Sequence, residues 1–440
     1  MITFEQKVDE IRKEHKSIFN RLKSIEEDAL FIDQVAALYP HLPLTANERC
    51  GSWYINPTKH KVHSVYFKST DGHTGEWDFN VRRGNFHWLD TIAAHQGAIV
   101  VDSTRRGKRI PDALSKTIPI WCCVINRAIH RYNGYQGDWD TRFHSLPSAV
   151  FRSEHAQIEC RIDGFVQKLW DLGVDVERLA RLIKKPLRPV WLTPQSSLDQ
   201  AIDTSAFYPV ICVSASEFIE GGCQARPSGF LYVQGSADDQ EAWSLGLTCG
   251  LFWKHQKEIL HHANTCEAKV VALVEDYRRE RQQAAMDDDD GVAHLIQGTS
   301  LVIGNRRAAL GWGKTYDAII QCIATNDDEP KRNRLDLAIP EGKKGQHILE
   351  KAIPQAIAFA RPFLTQNKKV LVYSIDGKDR AVGIALALLV DYYSDQGPVT
   401  KDSIKQKLVQ LIASHPQAAP SRVTLRRVNA HFLSASSNLE

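Results

Sequence analysis

The sequence lacks any apolar run long enough to cross a membrane. Its longest run, Ala381–Val390, has about half the length that a bilayer requires. The segment "MITFEQKVDEIRKEHKSIF" is charged throughout and contains no apolar core of the kind that a signal peptide carries. We therefore expect a cytoplasmic protein, with the nucleus as the other compartment, and no membrane partner.

The sequence also lacks a cysteine framework and a strong charge of either sign. Its nine cysteines include no C-x-x-C pair, which argues against regular disulfides and against a cysteine-based zinc site. The formal net charge is only +3, so any attraction to nucleic acid must come from local clusters of basic residues. The odd, scattered set of cysteines is typical of a protein of a reducing compartment.

The length and the spacing of apolar residues predict two domains. The chain has 440 residues, of which 43% are apolar, and this length exceeds what a single hydrophobic core usually holds. Helical spacing stops near Tyr277, and a run of four aspartates, Asp287–Asp290, follows a basic cluster. We predict a first domain at 1–280, a linker at 281–296 and a second domain at 297–440, in a monomer.

The first domain shows short apolar runs between loops, which predicts a mixed α/β fold. "GAIVVDS" indicates a buried strand, and "KTIPIWCCVINRAI" indicates a strand that leads into a helix. "FYPVICVSAS" indicates a further strand, with "FLYVQGS" as its expected hairpin partner. After the linker, strand and helix patterns alternate, which predicts a second α/β domain with a parallel or mixed sheet.

The stretch "LVYSIDGKDRAVGIALALL" predicts a strand, a tight loop and a helix. A loop between the carboxyl end of a strand and the start of a helix is an anion site, because its amides and the helix dipole point into it. Gly377 permits a close approach of the backbone, and Lys378 and Arg380 supply positive charge. We predict a phosphate-binding P-loop that consists of Ser374, Ile375, Asp376, Gly377, Lys378, Asp379 and Arg380.

This loop resembles the signature of dual-specificity and tyrosine phosphatases, which is histidine-cysteine, five residues and arginine. Tyr373 stands at the histidine position, Ser374 at the cysteine position and Arg380 at the arginine position. The resemblance implies a dual-specificity-phosphatase-like second domain. Because a serine hydroxyl is far less acidic than the thiol of such enzymes, we expect phosphate binding without phosphatase activity.

Three polar clusters follow strands in the first domain: "YFKSTDGH", "DSTRRGKRIPDALSK" and "QGSADDQEAW". Basic side chains and amides at such positions suit the phosphates of a polyphosphate sugar, and carboxylates suit a magnesium ion or a sugar hydroxyl. The residues that we predict to bind such a ligand are Lys68, Ser69, Thr70, Gly72, His73, Asp102, Ser103, Thr104, Arg105, Arg106 and Lys108. Asp238 and Asp239 are the predicted metal ligands, with Asp71 and Asp102 as alternatives.

Together the three clusters and the serine-containing loop resemble the fungal and plant initiator tRNA phosphoribosyl transferases, from about Lys61 to Asp391. The resemblance implies transfer of a 5-phosphoribosyl group from 5-phosphoribosyl 1-diphosphate to the 2′-hydroxyl of a T-stem adenosine, position 64. The acceptor would be cytoplasmic initiator methionine tRNA, which the adduct keeps out of elongation.

Such a displacement at the anomeric carbon needs no protein nucleophile. We expect Mg²⁺ as the cofactor, Arg380 to hold a donor phosphate, and Asp376 or Asp71 to act as general base in preference to His73. We also expect the Ser374 loop and the first-domain clusters to form one pocket.

The tRNA stem would be held by basic residues, since RNA helices are read mostly through phosphates and 2′-hydroxyls. The predicted contacts are Arg109, Lys184, Lys185, Lys331, Arg332 and Arg334, with the segment Arg422–Arg427 as a further candidate. Two alternatives remain open. The chain could be a catalytically dead phosphatase-like module that binds phosphorylated protein or RNA, or a phosphatase with an unusual nucleophile.

Overall fold

A computed structural model gives the structure of the protein. It describes residues 17–48, 50–105, 107–199, 203–283, 293–310, 315–323, 333–340, 345–394 and 397–433. The chain divides into two compact units between residues 286 and 287, and the short segments Val81–Arg83 and Asp171–Val174 group with the second unit.

The first unit contains a five-stranded parallel sheet with the strand order β2-β1-β3-β5-β4 and a separate two-stranded sheet, β6-β7. Its strands are β1 (Leu44–Asn47), β2 (Val62–Val65), β3 (Ala98–Asp102), β4 (Leu187–Leu192), β5 (Tyr208–Ser214), β6 (Cys223–Ala225) and β7 (Leu231–Val233). Its helices are α1 (Ile18–Leu38), α2 (Trp88–His95), α3 (Ile118–Tyr132), α4 (Arg152–Asp171), α5 (Val176–Leu182), α6 (Cys249–Ile259) and α7 (Ala263–Gln283).

The apolar runs of β3 and β5 form the centre of the large sheet. Every residue of both strands is buried, as expected for parallel strands with helices on both faces. Alternate residues of these strands, such as Ile99 and Ile211, enter a core to which α1, α6 and α7 contribute. The carboxyl ends of all five strands lie at one edge, and the polar clusters that follow β2 and β3 begin there.

Two strand predictions for the first unit are wrong. The residues of "KTIPIWCC" form no strand: a π-helical turn, Ala113–Thr117, continues directly into α3. A short apolar run has no period that separates a buried helix from a strand, so the sequence could not distinguish them. The strand β7 pairs antiparallel with β6 instead of β5, because β5 already has β3 and β4 on its two edges.

The second unit contains a five-stranded sheet of order β11-β10-β12-β9-β8, in which only β8 is antiparallel to its neighbour. The strands are β8 (Ala293–Leu295), β9 (Leu301–Asn305), β10 (Ala318–Gln321), β11 (Arg334–Asp336) and β12 (Val370–Ser374). The helices are α8 (Gln346–Thr365), α9 (Arg380–Tyr392), α10 (Lys401–Ser414) and α11 (Arg422–Leu433). Because β8 begins at Ala293, the sheet starts inside the segment that the sequence assigned to the linker.

The predicted strand, loop and helix around Ser374 are present. β12 occupies the centre of the second sheet, and the loop that follows it leads into α9. All residues of α9 from Arg380 to Val390 are buried, which explains the unbroken apolar run. No helix in the described part of the chain combines the length and the apolar character that a membrane span needs. The α/β fold class predicted for both domains is confirmed.

Candidate active site

The strand order of the first sheet creates a switch point between β1 and β3. The chain leaves β1 toward β2 on one side, and β3 lies on the other side of β1. In open α/β sheets, ligands bind in the crevice outside the carboxyl ends of the strands at such a point. The loops that carry the predicted ligand-binding residues therefore start where a parallel sheet offers a binding site.

Asp102, at the carboxyl end of β3, is fully buried and joins the strands at the switch point. One carboxylate oxygen accepts a hydrogen bond from Asn47 Nδ2 at 2.8 Å. The other accepts from Cys50 Sγ at 2.9 Å and from the amide of Ser103 at 2.8 Å. Because both oxygens are used inside the protein, we assign Asp102 to holding β1 and β3 together instead of to binding a metal or a sugar.

Gln234 brings the third polar cluster against the second. Its side-chain nitrogen Nε2 lies 3.2 Å from the carbonyl oxygen of Thr104 and 2.8 Å from that of Lys108, and it donates to both. Gly235 has a φ of +65°, and a Cβ at this position would lie 2.6 Å from the backbone nitrogen of Arg105. The close approach requires glycine, and it fixes the shape of the loop that follows β3.

Arg105 lies beside both predicted metal ligands. Its Nη1 is 2.9 Å from Asp239 Oδ2, and its Nε is 3.8 Å from Asp238 Oδ2. Arg105 and Asp239 are largely exposed, whereas Asp238 is mostly buried. Among the described residues, no group of three or more histidine, cysteine, aspartate or glutamate side chains is arranged to hold a metal ion.

The cluster after β2 forms a short 3-10 helix, Ser69–Gly72, that packs against the π-helical turn. The hydroxyl of Thr117 donates to the carbonyl oxygen of Lys68 at 3.2 Å. A Cβ on Gly72 would lie 2.7 Å from Thr117 Oγ1 and 2.8 Å from the backbone carbonyl oxygen of Asp112, so the close approach of the two segments requires glycine. Asp71 is buried here, and Ser69, Thr70 and His73 lie on the more exposed side.

Asp112 connects the first and second clusters. One of its carboxylate oxygens is 2.5 Å from Lys108 Nζ and 3.6 Å from His73 Nε2. The other is 3.4 Å from Lys116 Nζ, which is itself buried and lies 2.9 Å from Glu154 Oε1. A buried carboxylate thus fixes Lys108 and lies near His73, and both half-exposed groups face solvent beside each other.

Lys116 also determines the charge state of Glu154. Burial raises the pKa of the Glu154 carboxyl, but hydrogen bonds from Lys116 and Thr74 more than offset this effect and leave the pKa below its usual range. Glu154 therefore stays ionised and neutralises the buried lysine. Asp112 and Lys116 lie in the second predicted cluster without an assigned role, and Glu154 was not predicted at all, because only the fold brings α4 to the π-helical turn.

The remaining predicted residues of the first unit have separate surroundings. Ser103 is buried and donates to Ser216 Oγ at 2.7 Å, and Arg109 lies over the ring of Phe218. Lys184 is exposed, and Lys185 lies 6.0 Å from the ring centre of Tyr208. Arg106, Lys331 and Arg332 fall outside the described residues.

In the second unit, Ser374 holds the loop from within. It is fully buried, and its hydroxyl oxygen accepts a hydrogen bond from the amide of Gly377 at 3.0 Å. Gly377 has a φ of +72°, and a Cβ there would lie 2.9 Å from the carbonyl oxygen of Gly304. The amide of Lys378 is bonded in turn to the side chain of Asp376 at 2.9 Å. Two amides of the predicted anion cradle are thus bonded to loop side chains.

Tyr373 cannot activate Ser374. The phenol donates a hydrogen bond to the Gln321 side chain, and burial raises its pKa to about 12. Tyr373 belongs to a small apolar cluster with Leu371, two residues earlier on β12, and with Ile319 on the neighbouring strand β10. The residue at the histidine position of the phosphatase signature is therefore a core residue.

Arg380 is buried and directed to the interior of the second unit. Its Nη1 is 3.2 Å from Asp379 Oδ2 and 3.3 Å from Thr424 Oγ1, and only 1% of the residue is exposed. Asp379 also accepts from the amide of Ser421 at 2.8 Å. The exposed cation of the loop is Lys378, and Arg334 pairs with Asp336 elsewhere in the unit. A phosphate that reached Arg380 would have to replace Asp379.

Family models match both units. The model described as the Rit1 N-terminal domain matches residues 11–275, and the model described as the Rit1 DUSP-like domain matches residues 333–432. The fold and the loop define a two-domain α/β protein whose second domain is phosphatase-like and has serine in place of the nucleophile. The chain belongs to the Rit1 family.

Two relatives match nearly the whole chain. An uncharacterised protein of Schizosaccharomyces pombe is 36% identical, covering 98% of this chain and 97% of the relative. The tRNA A64-2′-O-ribosylphosphate transferase of Saccharomyces cerevisiae is 34% identical, covering 96% of this chain and 94% of the relative.

Solved structures match about a third of the chain. Human DUSP28 is 15% identical with a TM-score of 0.27, over 33% of this chain and 95% of that chain. The Yvh1 phosphatase domain of Chaetomium thermophilum is 21% identical with a TM-score of 0.27, over 33% of this chain and 98% of that chain.

Proposed function

We propose that this protein transfers a 5-phosphoribosyl group from 5-phosphoribosyl 1-diphosphate to the 2′-hydroxyl of adenosine 64 in initiator methionine tRNA. The observation that carries the proposal is the match, over 96% of the chain, to a curated tRNA A64-2′-O-ribosylphosphate transferase. In the reaction the bond from the anomeric carbon to diphosphate breaks, and a bond to the 2′-oxygen forms. Diphosphate leaves, and the hydroxyl proton passes to a base.

The first unit offers the better donor site. Lys108 and Arg105 are half or more exposed, and their loop is shaped by Gln234. Lys68 begins the neighbouring cluster, which packs on the π-helical turn. Cations held at the carboxyl ends of parallel strands neutralise the charge that develops on a leaving diphosphate. The sequence predicted that Lys68, Arg105 and Lys108 bind the donor, and this arrangement is compatible with that prediction.

Magnesium would be held by Asp238 and Asp239. The ion usually binds proteins through one or two carboxylates and takes its other ligands from substrate phosphates and water. Two adjacent carboxylates beside Arg105 fit such a site without further protein ligands. When bound, the ion would supply positive charge to the diphosphate. The two carboxylates themselves pair with Arg105.

His73 is the best-placed proton acceptor. Its ring is half exposed, and a carboxylate oxygen of Asp112 lies 3.6 Å from one ring nitrogen. The separation is longer than a hydrogen bond, so Asp112 lies near the ring without fixing its orientation, and the exposed ring is accessible to a substrate hydroxyl. Of the two bases that the sequence favoured, Asp71 is buried and Asp376 is exposed on the loop of the second unit. The geometry thus favours the third candidate.

The loop Ser374–Arg380 has no covalent role in this proposal. Displacement at the anomeric carbon needs no protein nucleophile, so a buried serine is compatible with the chemistry. The loop also carries two acidic side chains beside Lys378 and Arg380, so its formal charge is zero. Binding of a donor phosphate here would depend on Lys378 and on release of Arg380 from Asp379.

The proposal is tested with 5-phosphoribosyl 1-diphosphate labelled in the ribose. Purified protein is incubated with this donor, magnesium and either initiator or elongator methionine tRNA. We expect label in initiator tRNA at adenosine 64, with loss of transfer in His73→Ala and in Lys108→Ala. Label in both tRNAs would contradict the proposed specificity for initiator tRNA. Binding without transfer would favour the dead phosphatase-like module, and phosphate release would favour a phosphatase.

A further inference from the structure

A basic hollow lies on the second unit between the start of α10 and one face of α11. It encloses about 560 Å³, and its lining includes Lys401, Arg422, Arg426 and Asn429. Lys401 and Arg422 are the first residues of α10 and α11. The described residues that line the hollow also include Arg82, and none of them is acidic. A polyanion would therefore meet cations and helix amino termini without a repelling carboxylate.

Three cations of this hollow, on α10 and α11, differ from their neighbours on the same helices in having no acidic partner in the described part of the chain. Among the described residues, Lys401, Arg422 and Arg426 form no ion pair, and all three are exposed. On the same two helices, Lys405 pairs with Asp402 and Arg427 pairs with Glu350. The positive charge of Lys401, Arg422 and Arg426 is thus uncompensated, whereas the charge of Lys405 and Arg427 is neutralised. The sequence "RVTLRR" alone does not reveal that Arg427 is ion-paired and Arg426 is not.

The positions on α11 explain which cations enter the hollow. Arg422 and Arg426 are four residues apart, which places them on one face about 6 Å apart along the helix axis. Thr424 and Val428 also stand four residues apart and are buried. The helix therefore presents one face to solvent and the other to the core of the second unit.

The buried face of α11 holds the candidate loop. Thr424 Oγ1 is 3.3 Å from Arg380 Nη1. Ser421, directly before the helix, donates its amide to Asp379 at 2.8 Å and accepts from the amide of Thr424 at 3.1 Å. The hollow and the loop are thus separated by one helix, whose diameter is about 10–12 Å. A ligand in the hollow would contact the same helix that fixes Arg380.

We propose that this hollow binds the ribose-phosphate backbone of the tRNA substrate. The inference rests on the proposed function and extends it by naming the RNA-docking surface. The hollow is wide and open, and its three unpaired cations come from two different helices, with Arg422 and Arg426 about 6 Å apart along α11. A small anion would instead need several donors that converge on one point. Binding through Lys401, Arg422 and Arg426 releases counterions and makes the affinity depend on salt.

The test compares two triple variants of the full-length chain. The first is Lys401→Gln/Arg422→Gln/Arg426→Gln, which removes the three unpaired cations of α10 and α11 from the hollow. The control is Arg361→Gln/Lys405→Gln/Arg427→Gln, which removes the same charge from ion-paired positions of the same unit. Binding of fluorescent initiator tRNA is measured from 50 to 200 mM salt, and thermal unfolding checks that each variant folds.

We expect the first variant to bind tRNA at least tenfold more weakly, with a rise in the KM for tRNA. The slope of log affinity against log salt should decrease by about 2, because each phosphate contact contributes about 0.7 to 0.9. The control should keep the wild-type slope. Equal slopes for the two variants would overturn the proposal. Competition of inorganic phosphate with tRNA at the hollow at micromolar concentration would also overturn it, in favour of a small-anion site.

The outcome is separable from that of the proposed function. If the wild-type protein binds tRNA through the hollow but transfers no label, the docking surface stands and the proposed reaction fails. If the wild-type protein transfers label and the first variant binds tRNA like the control, the reaction stands and the docking surface fails.

Discussion

The ring nitrogen Nε2 of His415 lies 3.1 Å from the carbonyl oxygen of Gly377, so a buried histidine donates to the backbone of the candidate loop. Its other ring nitrogen is 2.7 Å from Nδ1 of His294. Burial, together with the neighbouring His294, lowers the pKa of His415 to about 4. The histidine that supports the loop is therefore neutral at physiological pH.

Acid should destabilise the second unit through His415. The pKa is about 4 in the folded state and 6.5 in the reference state. The unfolded chain therefore binds the extra proton first, and stability falls as the pH decreases from about 6.5 to about 4. The full difference corresponds to about 3 kcal/mol. Denaturant unfolding at pH 7 and pH 4.5 checks this, and His415→Gln should flatten the difference.

Removal of the Ser374 hydroxyl should destabilise the loop. Ser374→Ala leaves the buried amide of Gly377 without its acceptor, which costs about 1–3 kcal/mol. Ser394→Ala is the matched control, because the buried Ser394 hydroxyl has no hydrogen-bond partner among the described residues. Unfolding of the second unit measures both changes. An equal effect of the two substitutions would contradict the role assigned to Ser374.

A cysteine in place of Ser374 should not create a phosphatase. The side chain at this position is fully buried, and Tyr373 is bonded to Gln321 and cannot serve as its base. We expect Ser374→Cys to hydrolyse p-nitrophenyl phosphate no faster than the wild-type protein. Turnover above that background would mean that the loop opens to solvent.

Gly377 should tolerate no side chain. Gly377→Ala combines a φ of +72° with a Cβ only 2.9 Å from the Gly304 carbonyl oxygen. The left-handed conformation alone costs about 1–2 kcal/mol. Gly397→Ala meets no atom within 4 Å and should change stability by less than about 0.5 kcal/mol. Unfolding of the second unit would test the contrast, and similar values would show that the loop can adjust.

Substitution of the two lysines that pair with Asp112 should lower stability by very different amounts. Lys116 is buried between Asp112 and Glu154, so Lys116→Met leaves Glu154 without its only cation partner among the described residues while Asp112 keeps Lys108, and it should cost about 3–5 kcal/mol. Lys108 has a half-exposed side chain, and Lys108→Met should cost less than about 1 kcal/mol. Unfolding of the first unit measures both. A small loss for Lys116→Met would show that solvent reaches the pair.

The sequence predicted the features that depend on local patterns. The buried strand at Ala98–Asp102 and the strand, loop and helix around Ser374 follow from apolar runs and turn residues, and both are present. The short run before Trp121 was misassigned, because a buried helix and a buried strand can share the same apolar letters. The partner of β7 was misassigned because pairing depends on which strand edges are free.

Contacts between distant segments could not be predicted. Asp112 and Glu154 share Lys116 only because α4 packs at the π-helical turn. Asp102 carries the residue type of a ligand, but its burial against Asn47 gives it a structural role. Residue types indicated the correct segments, whereas the partners of each side chain required the fold.

The packing of α1 with α7 has a consequence for synthesis of the protein. Ile18 of the first helix and Val274 of the last helix of the unit belong to one core. Because synthesis proceeds at about 5–20 residues per second, α7 is completed on the order of 10 s or more after α1. During that time the part of α1 that packs on α7 stays exposed, and we expect chaperones at the ribosome to bind it. Messages truncated before α7 should yield chains that are degraded instead of folded.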